Sequence, residues 1–392
     1  VDLPHSTTIH RTYQVRGYTS ASGHARVREV LRVCQQLYNR ALGECRAIYR
    51  LTGKTVSKYT QMKWLTTWRR ESQKLGDIDV RVARGALVRL DRAYQAFFRR
   101  VKAGEGFGLP RFKPIQRYRS IELSAVRPGM VKGNKIRIKG LPLIRIKPSR
   151  PLPDAELKGI HLVQNGKILS VNLVYAEAAQ PPPASERAVG IDMGVNERMT
   201  FSTGETVARR TPDRARERRL RRAVARKQKG SKSRRKAVET LARHKRKEAV
   251  RNRNDCHAIT SALAAQYGLI CIERLRINNL TASGGTRKRG LNREMLGQTW
   301  GVIRQQLSYK AEWAGRQLVE VDPAYTSRTC SECREVQPKP RVYRLFRCSG
   351  CGHVEDRDVN AARNILERGR GFAAGGATVE VVDSCRAAGN IS

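Results

Sequence analysis

Two closely spaced pairs of cysteines constrain this sequence more than any other feature. Cys330 and Cys333 are separated by two residues, as are Cys348 and Cys351, and fourteen residues lie between the pairs. Each pair can offer two thiolates from a single turn, and four thiolates complete the tetrahedral coordination of Zn²⁺. We therefore predict a zinc ribbon over residues 330–352 with one structural Zn²⁺, because four cysteines leave no ligand position open. Disulfide bonds or a redox pair are the alternative.

The remaining cysteines and the apolar segments indicate the compartment. Five further cysteines are scattered singly through apolar stretches and the C-terminal tail, a distribution that favours a reducing environment over a disulfide framework. No apolar run approaches the roughly 20 residues that span a bilayer. The first residues, VDLPHSTTIH, contain no hydrophobic signal-peptide core. We expect a cytoplasmic protein with no signal peptide and no membrane span.

The net charge is strongly positive. Lysine and arginine total 78 against 34 aspartates and glutamates, which gives +44 at pH 7. A compact chain with this charge repels itself, and binding to nucleic acid releases counterions from the phosphates. A basic membrane-binding surface is the alternative, but no amphipathic helix with a Trp, Phe and Leu face stands out. The composition therefore favours a nucleic-acid partner and argues against a membrane.

The most basic segment, residues 209–255, predicts two helices with too few apolar residues to bury both. One broad face must therefore meet solvent or phosphate, and acids that could form i,i+4 pairs are few. A solvated helix pair is the alternative to nucleic-acid contact. The candidate nucleic-acid-binding residues, including two from an earlier segment, are Arg111, Lys113, Arg218, Arg221, Arg222, Arg226, Arg234 and Arg235.

The N-terminal half predicts a β-barrel interrupted by helices. Residues 8–18 alternate as a strand does, and residues 21–114 show helical periodicity until glycines and prolines break the pattern. The predicted helices run from Val27 to near Gly53, over 57–76 and over 79–102. Short alternating runs separated by Gly and Pro then predict antiparallel strands. We expect a barrel from residues 1–20 and 115–180, with the helical domain 21–114 inserted into it.

A stiff proline-rich linker, residues 178–185, precedes the second half. The predicted order after it is three strands, helix, strand, helix, strand, helix, which is the α/β order of an RNase H-like fold. One of these helices is expected at about 294–316. We expect this fold over residues 186–329 and 353–367, with the zinc ribbon inserted. The Gly- and Ala-rich tail, residues 368–392, is expected to be disordered.

Three acidic residues stand at the ends of predicted core elements. Asp192 follows the apolar strand VGI, Glu273 ends the strand LICI, and Asp358 opens the last helix. Each has an ordinary alternative explanation, since strand-end acids face water, GIDxG also occurs in phosphate-binding turns of actin-like ATPases, and Asp is a favoured helix cap. Together, in a very basic domain, they favour a site for hard divalent cations. Two such ions about 4 Å apart promote phosphodiester hydrolysis.

These residues carry a family resemblance that covers roughly residues 8–367. VGIDMGVNE, LICIERL and DRDVNAARNIL resemble the three RuvC motifs of the TnpB family, transposon-encoded proteins ancestral to type V CRISPR nucleases. YTSRTCSEC and CSGCGHVEDRDVNAARNI also resemble that family closely, although Arg334 replaces the glycine expected after the second cysteine. The resemblance implies that Asp192, Glu273 and Asp358 bind two catalytic Mg²⁺ ions, for which Mn²⁺ can substitute, with Asp356 a weaker candidate.

The resemblance further implies an RNA-guided DNA endonuclease. Its partners would be a guide RNA and a double-stranded DNA target, cut next to a short flanking motif by a single RuvC site. It also implies a wedge barrel, a helical recognition domain, a ribbon that binds target nucleic acid, and a lid formed by the loop GGTRKRG (284–290) and Trp300. We expect a monomer that acts at the nucleoid.

Three other functions remain open at this point. A guided DNA-binding regulator without cleavage would be marked by loss of a carboxylate, and none is lost. A transposase that joins DNA ends uses a similar acidic triad. A zinc-ribbon nucleic-acid-binding protein without a guide would carry heterogeneous RNA.

Overall fold

The computed structural model describes residues 8–374 with the exception of residues 105, 107, 283–284 and 339–343. The chain divides into two compact units, and the boundary between them along the chain lies between Ala179 and Gln180. This boundary falls inside the proline-rich linker at residues 178–185. In the part of the chain that is described, no helix is long and apolar enough to cross a lipid bilayer.

Seven strands form the sheet of the N-terminal unit. They are β1 (Thr8–Tyr18), β2 (Ser120–Leu123), β3 (Val131–Lys132), β4 (Lys135–Ile136), β5 (Ile144–Lys147), β6 (Glu156–Asn165) and β7 (Ile168–Ala178). Antiparallel pairing joins them in the order β2-β6-β7-β1-β5-β4-β3, so β1 is shared with the later strands as predicted. Among the described strands no pairing of β2 with β3 closes the sheet. The predicted barrel is therefore an open sheet here, with β2 and β3 at its two edges.

The helices of the same unit pack beside this sheet. They are α1 (Ala21–Thr52), α2 (Lys58–Glu71), α3 (Gln73–Gly76) and α4 (Val80–Lys102). Helix α1 begins where the Ser20 hydroxyl accepts a hydrogen bond from the N–H of Gly23, and it ends at Gly53, whose φ of 65° is left-handed. The helix predicted over residues 57–76 is divided into α2 and α3, because Ser72 adopts an extended backbone.

The C-terminal unit is an α/β layer with a small separate hairpin. Its strands are β8 (Ala188–Asp192), β9 (Glu197–Phe201), β10 (Thr206–Ala208), β11 (Leu269–Glu273), β12 (Gln317–Val321), β13 (Leu345–Arg347) and β14 (Val354–Asp356). Five of them pair in the order β10-β9-β8-β11-β12, and β13 pairs with β14. Strands β8, β11 and β12 are mutually parallel, whereas β9 and β10 are antiparallel to their neighbours.

The helices of this unit are α5 (Arg214–Ala225), α6 (Lys232–Gln266), α7 (Ile277–Leu280), α8 (Thr286–Gln298), α9 (Trp300–Trp313) and α10 (Arg357–Ala374). The single helix predicted at about 294–316 is wrong, because Thr299 takes a left-handed φ of 58° and separates α8 from α9. Residues 286–290, predicted to be loop, form the first part of α8.

The predicted start of the disordered tail is also wrong, because α10 continues through residue 368 to Ala374. The helix persists there because it packs on the sheet: a Cβ added at Gly369 would lie 2.1 Å from the sulfur of Cys271 on β11. Tertiary packing thus overrides a glycine-rich composition. Residues 375–392, the rest of the predicted tail, lie outside the described residues.

Candidate active site and metal centre

The sheet of the C-terminal unit places Asp192 and Glu273 side by side. Strands β8 and β11 are parallel neighbours whose register pairs Ile191 with Ile272. Asp192 and Glu273 are the next residue along each strand, so both leave the sheet at the same carboxyl edge. The apolar runs that precede them are buried, which fixes the register of the two strands.

Helix α10 brings Asp358 to the same edge. The helix packs closely on β8 at Gly190, where an added Cβ would lie 2.1 Å from the carbonyl oxygen of Ala362. Because only glycine allows this approach, the glycine of the VGID motif sets the position of α10. Asp358 lies in the first turn of α10 and acts electrostatically on Asp192.

The helix cap is provided by Asp356 and not by Asp358. The Oδ1 atom of Asp356 accepts hydrogen bonds from the backbone N–H groups of Asp358, at 2.9 Å, and Val359, at 3.3 Å. Its other carboxylate oxygen lies 3.6 Å from Arg344. The cap that was the ordinary explanation for Asp358 is therefore assigned to its neighbour, and the carboxylate of Asp358 has no capping role.

Burial raises the pKa of all three acids, and nearby carboxylates add to the rise for Asp192 and Asp358. Burial, followed by the charges of Glu273 and Asp358, raises the pKa of Asp192 to about 8. Burial likewise raises the pKa of Glu273, against a lowering by the hydrogen bond from Thr326. Burial and the nearby Asp356 raise the pKa of Asp358. Like charges in one buried site favour protonation until a cation compensates them.

The donor set fits hard divalent cations. Three carboxylates lie at one edge of the sheet, where the charges of Glu273 and Asp358 destabilise the charge of Asp192. Carboxylate oxygens are the ligands that Mg²⁺ takes. In the described residues these three acids do not form a group as tight as the four cysteines, whose sulfurs all lie within 4.8 Å of one another. Acids that share two ions about 4 Å apart are expected to be more widely spaced than ligands around one ion.

Polar side chains that the sequence analysis did not identify hold Glu273 in place through hydrogen bonds. The Thr326 hydroxyl donates a hydrogen bond to its Oε1 atom, and Thr326 is itself held by α10, because the Nδ2 group of Asn364 donates to its carbonyl oxygen at 3.0 Å. Asn360 donates to the carbonyl oxygen of Thr329 at 2.8 Å. Both asparagines are fully buried. In the sequence, the feature that could have identified these residues is a pair of asparagines four residues apart on an otherwise apolar helix face.

The four cysteines form a compact group. The sulfurs of Cys330 and Cys351 are 3.7 Å apart, and those of Cys333 and Cys348 are 3.5 Å apart. Tetrahedral Zn²⁺ with Zn–S bonds of about 2.3 Å requires sulfurs about 3.8 Å apart, so the group fits one zinc ion. The eight described cysteines are all free, and the disulfide alternative finds no support among them.

Arg334, which replaces the glycine expected after the second cysteine, has an unusual backbone conformation. Arg334 takes a left-handed φ of 68°, and Gly352, at the equivalent position of the second pair, takes 74°. A non-glycine residue is strained in this region. The side chain of Arg334 makes a long hydrogen bond of 3.3 Å to Asn364 on α10.

Arg111 and Lys113 have different environments. Arg111 is exposed, whereas Lys113 is half-buried with its Nζ atom 5.1 Å from the centre of the Tyr38 ring. The side chains of Gln35 and Asn39 donate hydrogen bonds to the carbonyl oxygen of Lys113. Lys113 therefore helps to fasten its segment to α1, and Arg111 is the more accessible of the two for a phosphate contact.

An arginine row follows one face of α5. Arg218, Arg222 and Arg226 are spaced four residues apart, are exposed, and line one shallow groove. Arg235, near the start of α6, is exposed as well. Such a row can follow a phosphate backbone without reading bases.

Two other candidate arginines are engaged within the protein. Arg221 donates to Glu217, one turn earlier on α5, at 2.7 Å. Arg234 is partly buried and donates to the carbonyl oxygens of Val224 and Lys227. Arg234 therefore closes the turn between α5 and α6.

Trp300, expected to contribute to a lid, is 4% exposed and belongs to the hydrophobic core of the unit. Of the GGTRKRG loop, Gly284 lies outside the described residues, and residues from Thr286 onward are helical. The candidate lid is therefore a helix, α8, anchored by a buried tryptophan at its junction with α9.

A solved structure identifies the fold class. The cryo-EM structure of a Cas12f1–sgRNA–target DNA complex matches 92% of this chain and 99% of the Cas12f1 chain, with a TM-score of 0.57 and 14% sequence identity. At this identity the likeness concerns the fold alone. The chain has the mixed α/β fold of a compact Cas12f effector.

Sequence comparison identifies the family. A protein of Streptomyces pristinaespiralis is 31% identical over 94% of this chain and 91% of its own length. InsQ of Escherichia coli K12 is 30% identical over 88% of this chain and 89% of its own length. The names of both describe them, provisionally, as RNA-guided DNA endonucleases. Two family models match, OrfB_IS605 (probable transposase) over residues 169–284 and the Cas12f1-like TNB domain over residues 300–365. The chain belongs to the TnpB family.

Proposed function

We propose that this protein is an RNA-guided DNA endonuclease that hydrolyses phosphodiester bonds at a site formed by Asp192, Glu273 and Asp358. The observation that carries the proposal is the convergence of these three carboxylates, Glu273 buried and the other two partly buried, at one edge of the sheet, each with a raised pKa. Carboxylates that share one site need a compensating cation. The net charge of +44 favours a polyanionic partner, and the acidic site attracts phosphate only when the cation is present.

Each acid has a proposed role as a metal ligand. Two divalent ions bound here would stabilise charge on the attacking and leaving oxygens of an in-line displacement. Asp192 is the acid whose pKa both of the others raise, and it is the candidate to contact both ions. Thr326 holds Glu273 in one orientation through its hydrogen bond, and the cap formed by Asp356 leaves Asp358 free to bind metal.

The order of the sheet supports a RuvC nuclease of the RNase H-like class over residues 186–329 and 353–367. Three strands that pair antiparallel, β8 to β10, are followed in the chain by two strands parallel to β8, which agrees with the predicted order of elements. We propose that residues 330–352 form a zinc ribbon that binds target nucleic acid. In the N-terminal unit, we propose that residues 1–20 and 115–180 form a wedge domain. The helical segment 21–114 would recognise the motif that flanks the target.

The first experiment tests the guide. RNA that co-purifies with the protein, expressed with its native flanking DNA, should be one discrete species with a variable guide end. A smear of cellular RNA would mean that the positive charge collects polyanions without selection, and the guided function would then be wrong.

The second experiment tests the site. Asp192→Asn should abolish Mg²⁺-dependent cleavage of a duplex matched to the guide while RNA and DNA binding persist. Asp356→Asn is the matched control, since asparagine still caps the helix and cleavage should continue. Cleavage by Asp192→Asn at the wild-type rate would exclude the assigned site.

The description of one matching family model as a probable transposase keeps strand transfer as a second candidate function. A similar acidic site can join a DNA 3′ end to a target. Products longer than the labelled substrate would indicate joining, whereas shorter products alone would indicate hydrolysis.

A further inference from the structure

The turn that follows β12 carries an exposed and strained tyrosine. Tyr325 has a φ of 63°, in the left-handed region where a bulky side chain is rarely found, and 56% of its surface is exposed. A buried ring could repay this strain by packing, but an exposed ring gains little from the protein. Glycine or asparagine would adopt the same backbone at lower cost, so the turn itself does not require tyrosine.

The turn is rigidly held on α10. The Nδ2 group of Asn364 donates to the carbonyl oxygens of Thr326 and Thr329, and Arg368 donates to the carbonyl oxygen of Ala324 at 2.7 Å. Asn364 and Arg368 are four residues apart and so lie on one face of the helix. The backbone on both sides of Tyr325 is therefore fixed to the helix that carries Asp358.

Tyr325 is adjacent in the chain to a residue of the candidate active site. Thr326, whose hydroxyl donates to Glu273, is the next residue, and consecutive Cα atoms are about 3.8 Å apart. The guanidinium carbon of Arg328 lies 5.1 Å from the centre of the Tyr325 ring. Arg328 is itself anchored, because its Nε group donates to the carbonyl oxygen of Gln337 at 2.9 Å. An exposed aromatic ring with a cation over it is thus carried by an anchored backbone, one residue from the side chain that contacts Glu273.

We infer that Tyr325 is a stacking surface for an unpaired nucleobase of the DNA strand that enters this site. The inference rests on the proposed nuclease function and adds a substrate-positioning residue to it. Aromatic rings beside arginine bind single-stranded nucleic acid by stacking on bases of any sequence. The base must be unpaired, because a base inside a duplex has both faces covered. Arg328 supplies charge for the adjoining phosphate, and the stacked base holds the neighbouring phosphodiester against the metal ligands.

Two variants separate the ring from the backbone. Tyr325→Asn removes the ring and keeps a residue that tolerates positive φ, so the turn should still fold. Tyr325→Phe keeps the ring. With the co-purified guide RNA and a matched target, Tyr325→Asn should slow cleavage by about 5- to 150-fold, the range for losing one base–aromatic stack, and Tyr325→Phe should cleave at nearly the wild-type rate. Equal rates for Tyr325→Asn and wild type would overturn the inference.

Abasic DNA tests whether the ring acts through a base. A single abasic nucleotide, scanned across the positions beside the cut, should slow the wild type at one position to the rate of Tyr325→Asn. At that position Tyr325→Asn should show no further loss. If the two losses multiply instead, the ring does not act by stacking and the inference is wrong.

A binding measurement keeps this inference distinct from the nuclease proposal. Single-stranded DNA carrying 2-aminopurine at that position, or at each position in turn, is titrated with the uncleaving Asp192→Asn protein, and stacking on Tyr325 should quench its fluorescence. The quenching should be lost in the double variant that also carries Tyr325→Asn. Quenching that depends on Tyr325 without any cleavage by the wild type would support stacking and reject the nuclease. Cleavage by the wild type without such quenching would support the nuclease and reject stacking.

Discussion

Neutralising Asp192 should stabilise the protein that lacks divalent ions. Burial and the charges of Glu273 and Asp358 raise the pKa of Asp192 from 3.8 to about 8. An acid with a raised native pKa binds its proton more tightly in the folded than in the unfolded state, so folding stability falls as pH rises from about 4 to about 8. Each pH unit in that window corresponds to about 1.4 kcal/mol. Asp192→Asn avoids this loss and should gain up to about 4 kcal/mol at pH 7.

The assay is thermal unfolding of zinc-loaded protein in buffer without Mg²⁺, at several pH values. For a unit of this size a gain of several kcal/mol corresponds to an increase in melting temperature on the order of 10 °C. The advantage of Asp192→Asn over the wild type should shrink as pH falls toward 4. Added Mg²⁺ should stabilise the wild type and leave the variant largely unaffected, because ligands stabilise only the state that binds them.

The control is Asp356→Asn, which removes one negative charge two residues from Asp358 and therefore changes the global charge equally. Asp356 is partly exposed and lies 3.6 Å from Arg344. Its neutralisation loses this contact while relieving its repulsion of Asp358, so any gain in stability should be much smaller than that of Asp192→Asn. Equal gains for the two variants, or a gain for Asp192→Asn that does not depend on pH, would refute the reasoning.

Three further predictions concern the frame around the site. Arg334→Gly should relieve the left-handed strain of the first cysteine turn and stabilise the zinc-loaded protein by about 1 kcal/mol, as read from urea unfolding; a loss of stability would contradict this. Thr326→Val should remove the hydrogen bond that lowers the pKa of Glu273, so the acid limb of the cleavage pH profile should move up by roughly one unit; an unmoved limb would exclude that role. Gly190→Ala should cost about 3 kcal/mol, because its Cβ would meet a carbonyl oxygen at 2.1 Å. Its control, Gly43→Ala in α1, meets no atom within 4 Å and should gain about 0.5–1 kcal/mol; similar effects of the two substitutions would be inconsistent with the packing described.

The sequence predicts the elements well where local signals are strong. The strands that carry Asp192 and Glu273 are continuous apolar runs and are found at the predicted places. Helix α10 begins within the predicted DRD segment, although its capping residue is Asp356 and not Asp358. Helix α1 ends at the predicted glycine for the same reason. These features depend on periodicity and on single residues with restricted backbone preferences. Both can be read from the sequence without knowledge of tertiary contacts.

The missed features depend on contacts between distant residues. The extension of α10 to Ala374 requires Gly369 to pack on Cys271, and no local sequence pattern indicates this contact. The break at Thr299 requires a left-handed threonine, which is locally unfavourable and is supported by a hydrogen bond from the buried Arg198 to the Thr299 hydroxyl. The open sheet of the N-terminal unit likewise depends on which strands pair with which, and periodicity does not fix that.

Helix α10 connects the two candidate metal centres. Its first turn carries Asp358, and the Nδ2 group of Asn360 fixes the turn beside Glu273 through the carbonyl oxygen of Thr329. The Oδ1 atom of Asn360 also accepts a hydrogen bond from the N–H of Ser331, inside the first cysteine pair. One buried side chain therefore joins the ribbon to the turn that orients Glu273. A structural zinc ion at the four cysteines would restrain that turn, and through it the carboxylate, although it takes no part in the chemistry.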